Sequence, residues 1–267
     1  MTFRGSVALV TGAGSGIGLL AAQRLAAQGA RVAALDLAAE PLEAAQRHSP
    51  NVSAFAADVT DPDALADAMA RVVAEVGPID RLVHAAGICL PGRLVEQPVE
   101  DVARVMEVNY VGTVRTVTAV VGGMVERSRG DIVLLASMAG WVPSFRLGAY
   151  DASKFAVVAY GEVLAHELEG TGVRTVVVCP PPVATPMVDA INAADPMALG
   201  GQPTIRAAEV LDAAERALER GEIFAFPGRI TRSAVRVRRL APGLLWKRMD
   251  RIERGPRRQP RHGAPPA

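Results

Sequence analysis

Short apolar runs alternate with longer amphipathic stretches along most of this chain. Val7–Val10, Arg31–Asp36, Asn51–Ala56, Arg81–Ala85, Asp131–Ala136, Val173–Val178 and Glu222–Phe226 are four to six residues each and rich in apolar side chains. Runs of that length bounded by polar residues predict buried strands. The stretches between them carry helical spacing: the segment from Leu19 to Leu25 and beyond, Ala64–Val76, Val99–Arg127 with Asn109 in its middle, Ala149–Glu169 and Arg206–Arg220. Asp61-Pro62 opens the second of these with a helix-start signal. Strands alternating with helices, joined by right-handed crossovers, predict an α/β fold: a doubly wound parallel sheet of about seven strands with helices on both faces.

The first polar interruption is the most informative. In VALVTGAGSGIG, Val7–Gly18, an apolar run passes through Thr11, Gly12, Gly14, Gly16 and Gly18 into a helical pattern. A strand that turns through glycines into a helix leaves backbone N–H groups without intrahelical partners. The helix dipole adds partial positive charge there, so a pyrophosphate is favoured. Glycine is needed where a side chain would block the phosphate or where φ is positive. The flanking strand and helix supply the context that a glycine pattern alone lacks. The next strand ends at Asp36, 18 residues past Gly18, close to the offset at which an acid hydrogen-bonds the adenosine ribose of a dinucleotide. Its charge repels a 2′-phosphate and no Arg follows it directly, so NAD is expected over NADP.

In such sheets ligands bind beyond the carboxyl ends of the strands. Ser137 stands at the end of the fifth predicted strand, and Tyr150 and Lys154 lie four residues apart on the next helix, on one face. A tyrosine beside an ammonium and a cationic nicotinamide is expected to have its pKa lowered from about 10, making it a general acid/base for a carbonyl or alcohol. Lys154 is informative because 27 of the 29 basic residues are Arg, and a compact ammonium is what Arg does not replace.

Thr11–Gly18, Asp36, Asp58, Asn109, Ser137 and the YDASK run Tyr150–Lys154 together resemble the short-chain dehydrogenase/reductase family over about residues 5–228. The resemblance implies a Rossmann-type, NAD-binding catalytic domain over residues 1–228. It implies that Tyr150 is the acid/base, that Ser137 orients the substrate oxygen, that Lys154 binds the nicotinamide ribose and lowers the tyrosine pKa, and that Asn109 holds a water in a proton relay. It places cofactor contacts at Gly12, Ser15, Gly16, Ile17, Gly18, Asp36, Asp58, Val59, Ala86, Gly87, Tyr150, Lys154, Pro180, Val183 and Thr185. Two positions depart from the family pattern. Ala85 stands where the family has Asn, so that side chain's bonds must come from elsewhere. Pro181 stands where it has Gly, which fixes φ and removes an N–H. The reading is an NAD-dependent oxidoreductase interconverting a secondary alcohol and a ketone. The alternatives are an NADP(H)-dependent carbonyl reductase and a dinucleotide-binding sensor without turnover.

Substrate walls are expected from Cys89 and Leu90, from Trp141, Val142, Pro143 and Phe145, and from Met187–Pro203. Leu90, Trp141, Phe145, Met187 and Ile191 are the specific candidates. The last segment reads either as a mobile lid over an apolar ligand or as an ordinary surface loop.

Composition narrows the setting. The chain has 267 residues, half of them hydrophobic, enough for one large domain. No apolar run approaches the about 20 residues of a spanning helix, and the start of the chain leaves no room for a signal peptide before the first strand. Two cysteines and four scattered histidines suggest neither a disulfide framework nor a metal site, so a cytoplasmic setting is expected. Charge is divided: residues 229–267 hold eleven Arg and one Lys against Asp250 and Glu253, a net +10, whereas residues 1–228 carry 17 basic and 26 acidic groups, a net −9. In this extension Ile230, Ala234, Val237 and Ala241 fall at helical spacing, with Arg232, Arg236 and Arg239 beside them. After Pro242-Gly243, Leu245, Met249 and Ile252 form a second apolar stripe beside Trp246, Lys247, Arg248 and Arg251. Such a pattern suits an anionic membrane surface, and docking on the acidic body or on a partner subunit competes with it. Nothing suggests nucleic-acid readout. Disorder is expected from Gly255 onward. A homodimer or homotetramer is expected, with the helices that hold Asn109 and Tyr150 at its interface.

Overall fold

The computed structural model describes residues 3, 5–228 and 230–254. Seven strands form one parallel sheet in the order β3-β2-β1-β4-β5-β6-β7. They are β1 (Val7–Thr11), β2 (Arg31–Asp36), β3 (Val52–Ala56), β4 (Arg81–His84), β5 (Gly130–Leu135), β6 (Val173–Val178) and β7 (Phe224–Ala225). Every pairing is parallel, with Leu9 opposite Ala33 on one side and Leu82 on the other. The order reverses at β1, which opens the crevice where ligands bind in sheets of this kind.

Alternation along each strand builds two cores. Val7, Leu9, Leu82, Ile132 and Leu134 face α3 (Pro62–Glu75), α5 (Gly112–Glu126) and α6 (Gly148–Glu167). Ala8, Val10, Val83, Val133 and Val176 face α1 (Gly16–Ala27) and α8 (Ala207–Arg220). Side chains of successive strand residues point to opposite faces, so a strand buried on both sides is apolar throughout.

Three features were not legible in the hydrophobic pattern. A helix, α2 (Ala39–His48), follows β2, with Leu42 fully buried. The expected helix Val99–Arg127 is divided into α4 (Val99–Met106), a π-helical turn at Glu107–Val111, and α5. The expected lid segment begins as a regular helix, α7 (Pro186–Ala194), entered through Thr185 with Pro at its first position. The C-terminal extension forms α9 (Thr231–Leu240) and α10 (Pro242–Arg254), broken where Pro242-Gly243 predicts a break. The expectation from Gly255 onward lies outside the described residues, as does the side chain of Ile252.

Candidate active site

At the end of β1 the backbone turns through Gly12, which has φ of +64°, and a Cβ there would lie 2.7 Å from the Ala85 carbonyl carbon. A Cβ at Gly18 would collide with the Gly12 carbonyl. Both glycines are therefore required for α1 to start so close to the strand. Ser15 is the N-cap residue but makes no side-chain capping bond, and the first turn, with Gly16 and Ile17, carries no acidic residue. Such a helix start presents free N–H groups and partial positive charge, which fit a dinucleotide pyrophosphate.

Asp36 closes β2 beside this turn. Its Oδ2 accepts from Gly14 N at 2.8 Å and its Oδ1 from Ala38 N at 3.3 Å. Asp58 and Val59 follow β3. Asp58 Oδ1 accepts from the Thr60 amide and hydroxyl, both at 2.8 Å, and Val59 is buried against Gly112. Ala86 and Gly87 follow β4. Beside Ala85, Ala86 N donates to Thr11 Oγ1 at 3.3 Å, and that hydroxyl lies 2.9 Å from His84 Nδ1. Asn109 is fully buried in the π turn. Its side chain accepts from Ile88 N at 2.8 Å and donates to Ile88 O and to Ser153 Oγ, each at 2.9 Å. Single π turns occur often at functional sites, and here the turn carries Asn109 between the post-β4 loop and α6.

Ser137 lies two residues beyond β5 and caps a short 3₁₀ turn, Met138–Gly140, through Ala139 N at 3.1 Å. α6 carries Tyr150 and Lys154 to the same place. Lys154 Nζ donates to Leu135 O at 2.8 Å and stands 5.6 Å from the centre of the Tyr150 ring. Burial pulls the Lys154 ammonium down to about 8. The Tyr150 phenol moves the other way in the protein without its dinucleotide, whereas the expected lowering includes the charge of a cationic nicotinamide. Burial and then the neighbouring Cys89 push it above its ordinary value, while a hydrogen bond with Ser137 opposes them. Desolvation of the phenolate outweighs that hydrogen bond. Asp151, beside Tyr150 in sequence, is pushed up to about 7 by burial, although Ser144 N donates to its Oδ2 at 2.7 Å.

Ser137, Tyr150, Lys154 and Ile17 line one cavity of about 970 Å³ including its open mouth. Pro180, Pro181, Val183 and Thr185 line it from the post-β6 loop. That loop is braced by Met138 N donating to Pro180 O at 2.8 Å and by Ala184 N donating to Ile205 O at 2.9 Å. Of the substrate candidates, Met187 and Ile191 line the cavity and Leu90, Trp141 and Phe145 do not. Trp141 turns away: its Nε1 donates to Cys179 Sγ at 3.3 Å and its ring meets Phe224 edge-on. Leu90 contributes its carbonyl to Gln97 Nε2, and Phe145 packs on Trp246 of α10. Leu147, Leu199 and Met249 take their places in the wall. Met249 lies more than fifty residues beyond α7, and nothing in its sequence neighbourhood pointed to the cavity.

A glycine cradle at the sheet's switch point, with a tyrosine, a lysine and a serine at the ends of the strands beside it, defines a dinucleotide-dependent oxidoreductase. Residues 6–196 match the family model described as short chain dehydrogenase. A 1-deoxy-11-beta-hydroxypentalenate dehydrogenase of Streptomyces avermitilis is 36% identical over 233 residues, covering 85% of this chain and 86% of that protein. Among solved structures, a short chain dehydrogenase from Burkholderia cenocepacia in complex with NADP superposes with TM-score 0.80 at 28% identity, covering 93% of this chain and 99% of that one. A short chain dehydrogenase/reductase from Burkholderia phymatum in complex with NAD superposes with TM-score 0.82 at 25% identity, covering 91% and 96%. The chain belongs to the short-chain dehydrogenase/reductase family of NAD(P)(H)-dependent oxidoreductases, which act on CH–OH and C=O groups.

Proposed function

We propose that this enzyme interconverts a secondary alcohol and a ketone with NAD(H), on a substrate whose body is apolar. The observation that carries this reading is the convergence of Ser137, Tyr150 and Lys154 on one cavity walled by Leu147, Met187, Ile191 and Leu199. When bound, the nicotinamide supplies the hydride donor or acceptor. The Tyr150 hydroxyl gives a proton to the carbonyl oxygen in reduction and, as phenolate, takes one from the alcohol in oxidation. Ser137 hydrogen-bonds the same oxygen, and the Lys154 ammonium lowers the cost of the phenolate. Asn109 anchors the loop at Ile88 and, through Ser153, the start of α6.

Asp36 supports NAD over NADP. Its carboxylate is tied to the glycine turn through Gly14, so a 2′-phosphate beside it would meet a fixed negative charge. Turnover of a panel of cyclic ketones and secondary alcohols with each cofactor tests both parts of the proposal. Faster turnover with NAD(H) is expected, and equal or better turnover with NADP(H) rejects the cofactor assignment. No turnover with either cofactor rejects the proposed substrate class.

The assembly belongs to the same proposal. Phe155 and Val163 on α6 and Val125 on α5 expose apolar surface that suits a second copy of the chain. Along α5, Val117 is buried in the core, Val121 packs against it and Val114 is half-buried. Ile230, Val237, Leu240 and Leu244 are exposed beside Arg232, Arg236 and Arg239, which supports association with an anionic membrane surface. Among the described residues no helix is long and apolar enough to cross a membrane. The unpaired Cys89 and Cys179 support a reducing, cytoplasmic setting.

A further inference from the structure

Three elements around the reactive cavity meet at Arg146. It lies four residues before Tyr150, in the loop that leads into α6. Its φ of +66° is a left-handed conformation that non-glycine residues adopt at some cost. Its guanidinium forks onto Glu253 of α10, Nε to Oε2 at 3.0 Å and Nη2 to Oε1 at 2.8 Å. Its Nη1 donates to Oδ2 of Asp195, the residue that ends α7, at 2.8 Å. Its carbonyl accepts from Gly92 N, in the loop after β4, at 2.7 Å. The two-bond fork onto a carboxylate is the arrangement for which a planar guanidinium is suited and an ammonium is not. Next to it, Phe145 packs on Trp246 of α10 with ring centres 5.4 Å apart. Three residues further on, Met249 reaches the cavity that holds Tyr150 and Ser137.

The sign of this docking is unexpected. A tail of net +10 against a body of net −9 predicts diffuse attraction between tail arginines and body carboxylates. The contact that forms instead joins one of the tail's two acidic residues to a body arginine, with both side chains about three-quarters buried. A reversed, two-bonded, partly buried pair fixes one position for α10, which screened surface attraction does not.

We propose, building on the enzymatic reading above, that α10 is a wall of the substrate site, clamped to α7 by Arg146, and that Met249 limits the size of the apolar ketone or alcohol that reaches Tyr150. A methionine there is a flexible filler that shapes itself to a ligand. A substrate lying against both α7 and α10 makes its own binding and the docking of α10 mutually reinforcing.

The test uses Trp246 as its reporter. The chain has two tryptophans, so Trp141→Phe leaves Trp246 as the only one. In that background, with NAD⁺ present, 2-decalone and cyclohexanone are titrated against Trp246 emission. A saturable response to 2-decalone is expected. Met249→Phe is expected to raise its Kd by about tenfold, while the cyclohexanone Kd stays within about threefold. Met249→Ala is expected to leave both ketones bound and to narrow the discrimination between them. Glu253→Gln is expected to increase iodide quenching of Trp246 and to weaken 2-decalone binding. The proposal is overturned by any of three results: no saturable response to 2-decalone, a Kd that neither Met249 variant moves, or quenching that Glu253→Gln leaves unchanged. The expected Trp246 responses, with no reduction of either ketone in a separate assay supplied with NADH, would defeat the enzymatic reading alone and leave the wall standing.

Discussion

Burial acts in opposite directions on the ionisable groups around Tyr150. It pulls the Lys154 ammonium down to about 8, pushes the Asp151 carboxyl up to about 7 and pushes the Tyr150 phenol above its ordinary value. Each neutral form is favoured: Lys154 and Asp151 are brought toward neutrality, whereas the phenol is moved away from it. Asp151 gives the clearest test. Its pKa is higher folded than unfolded, so the native state holds the proton more tightly. The stability this contributes is fully present below the unfolded value of about 3.9 and is lost as pH rises through about 7. Asp151→Asn keeps an acceptor for Ser144 N without the ionisation. It is expected to melt above the parent at pH 8, by about 2–4 °C for each kcal/mol gained, with the gap shrinking toward pH 4. Thermal melts at the two pH values check this, and an equal gap at both contradicts it. Ser137, Tyr150 and Lys154 were readable in the sequence because their spacing on strand end and helix is a local property. The Thr11–His84 pair and the raised Asp151 were not, since each depends on residues brought together only by the fold.

At the scale of elements, three neighbouring strands are locked at their amino ends by one carboxylate. Asp131 on β5 receives Arg81 of β4 at 2.7 Å and Arg174 of β6 at 2.6 Å. Arg81 is 3% exposed, so removing its partner strands a buried cation. Asp131→Ala is expected to cost about 3–5 kcal/mol, measured by urea unfolding, and a loss near zero would show that Glu215 alone satisfies Arg81. The strands were legible within one or two residues because a doubly buried strand must be apolar throughout, whereas the π turn left no mark, as one extra residue in a helix changes neither composition nor period enough to be seen. Trp141 and Phe145 were expected in the substrate wall because they follow β5. Their directions are set by contacts with β7 and α10 that periodicity does not encode.

For the whole molecule, the alternating pattern and the ordered motifs together made the fold and the meeting of Ser137, Tyr150 and Lys154 readable, whereas the far wall of the cavity was not, because it is built by a helix from the other end of the chain. A dimer or tetramer is expected by light scattering at micromolar concentration, and Phe155→Glu is expected to shift it toward monomer; an unchanged mass in the variant would move the interface off α6. Full-length protein is expected to co-sediment with anionic vesicles at low salt and to be released at high salt, and a chain ending at Gly228 is expected to stay in solution. Equal binding by both, or no binding, would leave docking of α10 as the extension's whole role. The central claim is that Tyr150 moves the proton while a separate cradle holds the dinucleotide. Tyr150→Phe tests it most directly, with NADH binding and ketone reduction measured on the same preparation. NADH is expected to bind as in the parent, with reduction falling by about 10²–10⁴-fold; a variant that binds NADH and keeps most of its turnover would contradict the account.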